Sequence, residues 1–202
     1  MFTSAGIILA GGRSRRMGRD KAFLSLPGPG ERTFVEYLTH LLTSLCHEVV
    51  LVVRDTEQMA RYASYATSNI RLVADKVADT GPLMGLYTGL GAIATTHALV
   101  VAVDMPFVQP VMASFLLSCP LDEAPVVPVV KAIPQVLLAV YPRTLVPQLE
   151  ALLQEGRRDL RSVLEARHVH YIDETHLREI DPQLRSFVNV NTPEELSRLR
   201  SS

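Results

Sequence analysis

The sequence predicts a doubly wound α/β fold, a mostly parallel sheet covered by helices on both faces in three layers, α/β/α. Three observations carry this expectation. Short apolar runs rich in β-branched residues recur at 6–10, 49–53, 70–74, 98–103 and 125–130. Their nearly continuous hydrophobicity is that of parallel strands buried on both faces. Between the runs lie segments whose apolar residues fall at helical spacing, so that strand and helix signals alternate along the chain.

The first run breaks at Gly11-Gly12. Phe34, Val35, Leu38, Leu41, Leu42 and Leu45 then mark one helix face, and Leu83, Leu86, Tyr87, Leu90 and Ile93 mark a second. A further helix is expected over 109–117. The order becomes less regular after residue 120. Runs at 125–130 and 136–141 flank a short Pro-containing connection and are expected to pair as antiparallel strands. The segment 145–153 reads as a helix ending at Gly156, which stands where a C-terminal cap belongs. A second short helix is expected over 160–166, and strands over 169–172 and 187–191. Thr192-Pro193-Glu194-Glu195 is a helix start, with Thr at the N-cap, Pro at the first helical position and Glu195 three residues on. The segment 27–31, with two glycines, reads as an exposed loop. With no internal repeat or linker, 1–202 reads as one domain.

Composition narrows the function. At 48% hydrophobic and 20% charged residues the chain is globular, and a net charge of −1 gives no reason to expect nucleic acid or an anionic membrane as partner. Against that neutral background five of the twenty Lys and Arg residues fall between 13 and 21, which points to a small anionic ligand. Cys46 and Cys119 lack metal-ligand spacing and read as small buried hydrophobes in a reducing compartment. The apolar run at 98–103 is far shorter than the ~20 residues that span a bilayer, and the N-terminus lacks the pattern of a signal peptide. The expected location is the cytoplasm.

Strand, glycine turn and basic loop together predict a nucleoside triphosphate site. Gly11 and Gly12 let the backbone turn sharply and approach a ligand, while consecutive amides and nearby cations complement polyphosphate. Lys21 is the point cation and Arg16 the candidate for bidentate phosphate contacts. Arg13, Arg15 and Arg19 read as solvated. In open α/β sheets ligands sit beyond the carboxyl ends of the strands. The segments 11–21, 75–85 and Asp104 should therefore open on one edge.

Asp104 follows a buried strand and stands too early to cap the helix over 109–117. Its carboxylate is a hard oxygen ligand suited to Mg²⁺, which neutralises charge on a departing pyrophosphate. Asp75 can accept hydrogen bonds from a ribose or from the amino edge of guanine, and Asp79 either joins it or caps the following helix. Gly81, Gly85 and Gly89, four apart, allow close approach to a backbone or to a ligand. Asn189 and Asn191 share one face of the expected strand and suit polar ligand recognition or support behind a metal. His168 and His170 share a strand face without a third ligand and read as surface residues. The P-loop, G-x-G-x-x-G and G-x-S-x-G patterns are absent.

The motif Leu9-Ala10-Gly11-Gly12-x-Ser14-x-Arg16-Met17-Gly18-x-Asp20-Lys21 resembles the nucleotidyltransferase signature. With Gly81-Pro82-Leu83-x-Gly85-Leu86, Asp104-Met105-Pro106-Phe107 and Asn189-Val190-Asn191-Thr192-Pro193-Glu194-Glu195-Leu196, the chain closely resembles the molybdenum cofactor guanylyltransferases. That is the molybdopterin-guanine dinucleotide biosynthesis protein A family, and the resemblance runs from about residue 5 to 199. It implies a Rossmann-like nucleotidyltransferase fold with a nucleotide-binding half over 1–110 and an acceptor-binding half over 111–202. It implies that GMP passes from GTP to molybdopterin, with Mg²⁺ as cofactor and molybdoenzyme maturation proteins as possible partners. By motif match, Leu9, Ala10, Gly11, Gly12 and Lys21 contact the nucleotide, Asp75 binds its guanosine part, and Asp104 binds GTP and holds Mg²⁺. Lys21, Asp104 and Arg16 form the catalytic set, and Asn189 and Asn191 lie toward the pterin. Some members carry an asparagine in the second strand region, which is wholly apolar here at 49–53. Relatives that use CTP tend to have alanine where Gly11 stands, so Gly11 favours GTP. The alternative is a related transferase using CTP or a different phosphorylated acceptor.

Overall fold

The computed structural model describes residues 4–12, 20–26, 32–165, 168–192 and 195–196, and the loop expected over 27–31 lies outside them. Its strands are β1 (Ser4–Leu9), β2 (Glu48–Val53), β3 (Ile70–Ala74), β4 (His97–Ala102), β5 (Val126–Val130), β6 (Ile133–Pro134), β7 (Leu138–Pro142) and β8 (His170–Ile172). They form one sheet in the order β3-β2-β1-β4-β7-β5-β6, with β8 on β5. The β1–β2, β1–β4, β2–β3 and β5–β8 pairs are parallel. Only β7 and the small β6 run against the rest. The sheet is thus mostly parallel, as the continuous apolar runs require.

Because successive strand residues face opposite sides, each run feeds two cores. On one face Ile8, Leu51, Leu99 and Val101 pack against α1 (Phe34–Leu45), α4 (Pro110–Ser118) and α6 (Glu174–Ile180). On the other, Ile7, Val50, Val52 and Val100 pack against α3 (Pro82–Ala92) and α5 (Val146–Gln154). The α3 helix sits close on β1 because Gly89 lacks a side chain, since a Cβ there would come within 2.7 Å of Ile7 Cγ2.

Local chemistry sets the element ends. In α1 the Thr33 N–H donates to Glu36 Oε2 at 2.7 Å and the Glu36 N–H to Thr33 Oγ1 at 3.3 Å, a reciprocal cap. Gly156 takes φ 80° and closes α5: its N–H donates to the Leu153 carbonyl and that of Arg157 to the Leu152 carbonyl, both at 3.0 Å. Thr192 and Glu195 form the expected cap, with the Glu195 N–H on Thr192 Oγ1 at 3.2 Å. Between β5 and β6, Lys131 and Ala132 both have positive φ (51° and 60°), the geometry of a two-residue hairpin turn.

Several expectations are corrected. No strand covers 187–191: a 3-10 turn over Arg185–Phe187 is followed by irregular chain, tied to Asp104 by the Val190 N–H on its carbonyl at 2.8 Å. The 160–166 segment is a 3-10 helix over Leu160–Leu164. Two helices carried no periodic signal. In α2 (Thr56–Arg61) the buried residue is Gln58, and in α6 it is Leu177 alone. The antiparallel pairing of the 125–130 and 136–141 runs is present but brief, through Val126 and Val140. Among the described residues no helix is long and apolar enough to cross a membrane.

Candidate active site

The carboxyl end of β1 is held from both sides. The Ala10 N–H donates to the Val52 carbonyl at 2.8 Å and the Val103 N–H to the Leu9 carbonyl at 3.0 Å. The chain leaves the sheet at Gly11-Gly12, and there a cavity of about 310 Å³ opens. Its polar lining is Lys21, Asp75, Asp79 and Asp104, and its apolar walls include Leu9, Val52, Pro82, Val103 and Leu137. Segments following β1, β3 and β4 thus meet on one edge of the sheet.

Lys21 begins a 3-10 turn (Lys21–Phe23) whose N-cap is Asp20, with the Ala22 N–H on Asp20 Oδ1 at 3.2 Å. That turn sends Nζ to Asp104 Oδ2 at 2.6 Å and to Asn191 Oδ1 at 3.3 Å. Both charged side chains are largely shielded, at 13% and 18% exposed. Asp104 Oδ1 is buried and has no hydrogen-bond partner among the described residues. A buried carboxylate oxygen left unpartnered costs free energy unless a cation or donor completes it. No three His, Cys, Asp or Glu side chains converge among the described residues. A metal here would therefore take Asp104 as its protein ligand and its other ligands from phosphates and water, the arrangement Mg²⁺ favours.

Asp75 leaves β3 with its N–H on the Val53 carbonyl at 2.9 Å. Burial pushes its carboxyl up from 3.8 to about 6, with Thr88 pulling the other way. Neither Asp75 Oδ1 nor the Thr88 hydroxyl makes a hydrogen bond of normal geometry among the described residues. Asp75 faces Gly11: a Cβ on Gly11 would lie 3.4 Å from Asp75 Oδ2 and 3.4 Å from the Arg54 nitrogen. A methyl group would fit there, but only by filling the space between carboxylate and glycine turn.

The remaining sequence candidates fall out as follows. Leu9, Gly11 and Gly12 line the cavity. Ala10 does not: it is 1% exposed in the core on the opposite face from Leu9, with its N–H on Val52 and its carbonyl accepting from Gln58 Nε2 at 3.0 Å. Asp79 lines the cavity in a left-handed conformation, φ 61°, and Gly81 rather than Asp79 occupies the N-cap of α3. The spaced glycines resolve largely into packing. A Cβ on Gly81 would meet the Arg158 carbonyl at 2.9 Å, and one on Gly85 would meet Leu9 Cδ2 at 3.1 Å. Asn191 reaches Lys21, whereas Asn189 is exposed and off the cavity lining. Arg16, with Arg13, Arg15 and Arg19, lies outside the described residues. His170 pairs with Asp122 at 2.8 Å at the start of β8, and His168 stacks edge-on against it, a surface cluster remote from the cavity edge.

Gln58 and Tyr62 carry no signal in the sequence. Both are fully buried, and both hydrogen bond to Asp20. A glutamine in a short polar helix carries no pattern that would have revealed them.

The chain is 34% identical over 204 residues to the molybdenum cofactor guanylyltransferase of Desulfosudis oleivorans, with 100% of this chain and 96% of the relative covered. It is 36% identical over 197 residues to the probable molybdenum cofactor guanylyltransferase of Chloroflexus aggregans, covering 95% and 91%. Among solved structures, molybdopterin-guanine dinucleotide biosynthesis protein A from Archaeoglobus fulgidus superposes with a TM-score of 0.80 at 27% identity, covering 98% and 97%. The family model for the MobA-like NTP transferase domain matches residues 6–172, and this chain belongs to that family.

Proposed function

We propose that this protein transfers GMP from GTP to the terminal phosphate of molybdopterin, releasing pyrophosphate and forming molybdopterin guanine dinucleotide. The observation that carries the reading is one cavity in which a glycine turn, a lysine paired to a buried aspartate, and a desolvated carboxylate converge. Near full-length likeness to guanylyltransferases supports the choice of substrates.

In this reading the Gly11-Gly12 amides and Lys21 hold the triphosphate, with Arg16 as a further phosphate ligand, and Leu9 flanks the nucleotide. Asp75 accepts hydrogen bonds from the guanosine. An oxygen of the acceptor phosphate attacks the α-phosphorus, and the bond to the β-phosphate breaks with its electron pair leaving on pyrophosphate. Chemistry of this kind needs positioning and charge neutralisation more than a protein nucleophile. Asp104 holds Mg²⁺, which when bound supplies neutralisation of the phosphate charges. Asn191, already on Lys21, stands toward the acceptor, and Asn189, exposed outside the cavity lining, would meet the acceptor from beyond it; in this reading residues 1–110 bind the nucleotide and 111–202 the acceptor. The reading places the reaction in the cytoplasm, where thiols such as Cys46 and Cys119 stay reduced. The product then passes to molybdoenzyme maturation proteins.

Calorimetric titration with GTP, CTP and ATP in the presence of Mg²⁺ tests the base. Clear preference for GTP is expected, and a preference for CTP or ATP overturns the assignment. A second expectation concerns pH. The ionised Asp75 is the acceptor, so GTP affinity holds above pH 7 and falls as pH drops through about 6, approaching tenfold per unit. Stability moves the opposite way. A carboxyl raised from 3.8 to about 6 destabilises the fold once ionised, and that cost disappears as pH falls through this window. Because the triphosphate itself gains a proton near pH ~6, the comparison is with Asp75→Asn. Identical pH profiles for the two proteins would exclude Asp75 as the titrating acceptor.

A further inference from the structure

Gln58 makes three hydrogen bonds from a side chain that is 0% exposed. Its Nε2 donates to the Ala10 carbonyl and to Asp20 Oδ2, both at 3.0 Å. Its Oε1 accepts from the Arg54 N–H at 2.7 Å. The amide orientation is fixed by its partners, since a carbonyl and a carboxylate accept only and a backbone N–H donates only. Both N–H donors are thereby used. The backbone of Gln58 is itself held by the α2 cap, its N–H on Asp55 Oδ1 at 2.7 Å.

The three partners are not scattered. Ala10 immediately precedes the glycine pair and Asp20 immediately precedes Lys21. The Arg54 nitrogen is the backbone atom that a side chain at Gly11 would touch. One buried amide therefore spans the two ends of the glycine-and-basic motif and the exit of β2 beside it. Tyr62, from the end of the same helix, adds a second bond to Asp20 Oδ2 at 3.1 Å. Its ring packs on Phe23, in the turn that carries Lys21, at 4.8 Å between centroids. Burial and the nearby Asp20 charge raise the Tyr62 hydroxyl well above its usual range, so it stays a donor. Asp20 in turn caps the turn that sends Lys21 to Asp104.

We propose that Gln58, with Tyr62, is a positioning residue for triphosphate binding: through Asp20 and the Ala10 carbonyl it fixes Gly11 and Lys21 relative to each other before the nucleotide arrives. The proposal rests on the reading of this cavity as a GTP site. Preorganisation of this kind lowers the entropy lost on binding and holds the cation where charge develops. Among the described residues its side chain hydrogen bonds to no cavity-lining side chain; it acts through backbone and carboxylate.

The test combines an introduced negative charge with its rescue. Gln58→Glu keeps the shape and the Arg54 contact but replaces the two N–H donors with a carboxylate oxygen facing two acceptors. It is expected to weaken GTP binding at least tenfold and to lower turnover, while KM for molybdopterin stays within twofold of the parent. Adding Asp20→Asn returns a donor to the pair, and the double variant is expected to bind GTP at least threefold better than Gln58→Glu. Tyr62→Phe keeps the ring on Phe23, removes one hydroxyl, and is expected to weaken GTP binding three- to tenfold. Affinities are measured well below each variant's melting temperature, so a merely looser fold leaves them unchanged. GTP binding within twofold of the parent in every variant that folds, or a double variant as weak as the product of its single changes, overturns the proposal. Failure of the parent protein itself to bind GTP overturns the underlying reading and this proposal with it.

Discussion

Replacing Asp104 with alanine is expected to lower guanylyl transfer by at least about 10²–10³-fold, the scale seen when a single preorganised electrostatic contact is removed from an active site. The expectation follows from two facts about one carboxylate. Its Oδ2 is held by Lys21 at 2.6 Å, while its Oδ1 is buried and unpartnered among the described residues. Removing it takes away both the metal ligand proposed above and the counter-charge of a lysine only 13% exposed. The change also costs stability, about 1–3 kcal/mol, below the range for a fully buried pair because both groups keep some water contact. Asp104→Asn separates the two effects. It keeps an oxygen for Lys21 and the shape of the site but lacks the charge, so it should melt closer to the parent while remaining nearly inactive. Turnover near the parent rate in either variant would remove Asp104 from the mechanism.

Lys21→Ala is expected to weaken GTP binding by about 10- to 150-fold, the equivalent of losing one hydrogen bond to a charged group. The effect has two sources. A phosphate contact disappears, and Asp104 is left as an uncompensated anion against a polyanionic ligand. The second source makes binding depend more steeply on divalent cation, so raising Mg²⁺ should recover part of the loss. Lys21→Arg should not restore full affinity, because a planar guanidinium does not reproduce a compact ammonium seated between Asp104 and Asn191. Calorimetry at two Mg²⁺ concentrations is the measurement. Unchanged GTP affinity in Lys21→Ala would refute the phosphate role.

The parts of this molecule that were legible in its sequence are those with period and punctuation. Central strands such as Glu48–Val53 and His97–Ala102 announce themselves because, past a polar first residue, burial on both faces excludes polar side chains. Gly156 and Thr192 mark helix ends because only particular residues satisfy the orphaned groups there. The Gly11-Gly12, Asp75 and Asp104 convergence was readable from position alone, each standing just beyond a strand end. What was not legible depended on partners far along the chain. Nothing local distinguishes Gln58 from a solvated glutamine, since its three acceptors and donors lie in separate segments. Asn189 and Asn191 looked equivalent in an alternating pattern, yet the tie between Val190 and Asp104 leaves one beside Lys21 and the other exposed. Ala10 shares a motif with cavity residues but not their direction, because adjacent strand residues face opposite cores.

The reversed direction of β7 separates two kinds of evolutionary freedom. Parallel strands deliver their carboxyl ends to the cavity edge, so β1, β3 and β4 supply the residues that follow them. A strand running the other way begins at that edge, and β7 accordingly brings in Leu137 from in front of it, with the Ala102 N–H on its carbonyl at 3.0 Å. The far wall of the cavity thus hangs on the short β5–β6–β7 connection, while the glycine turn hangs on β1. Lengthening or recolouring the 131–137 connection would reshape the Leu137 side of the cavity and leave the glycine turn on β1 untouched. A scaffold wired this way can vary one wall of its cavity through a single hairpin while the opposite wall stays fixed by the parallel strands.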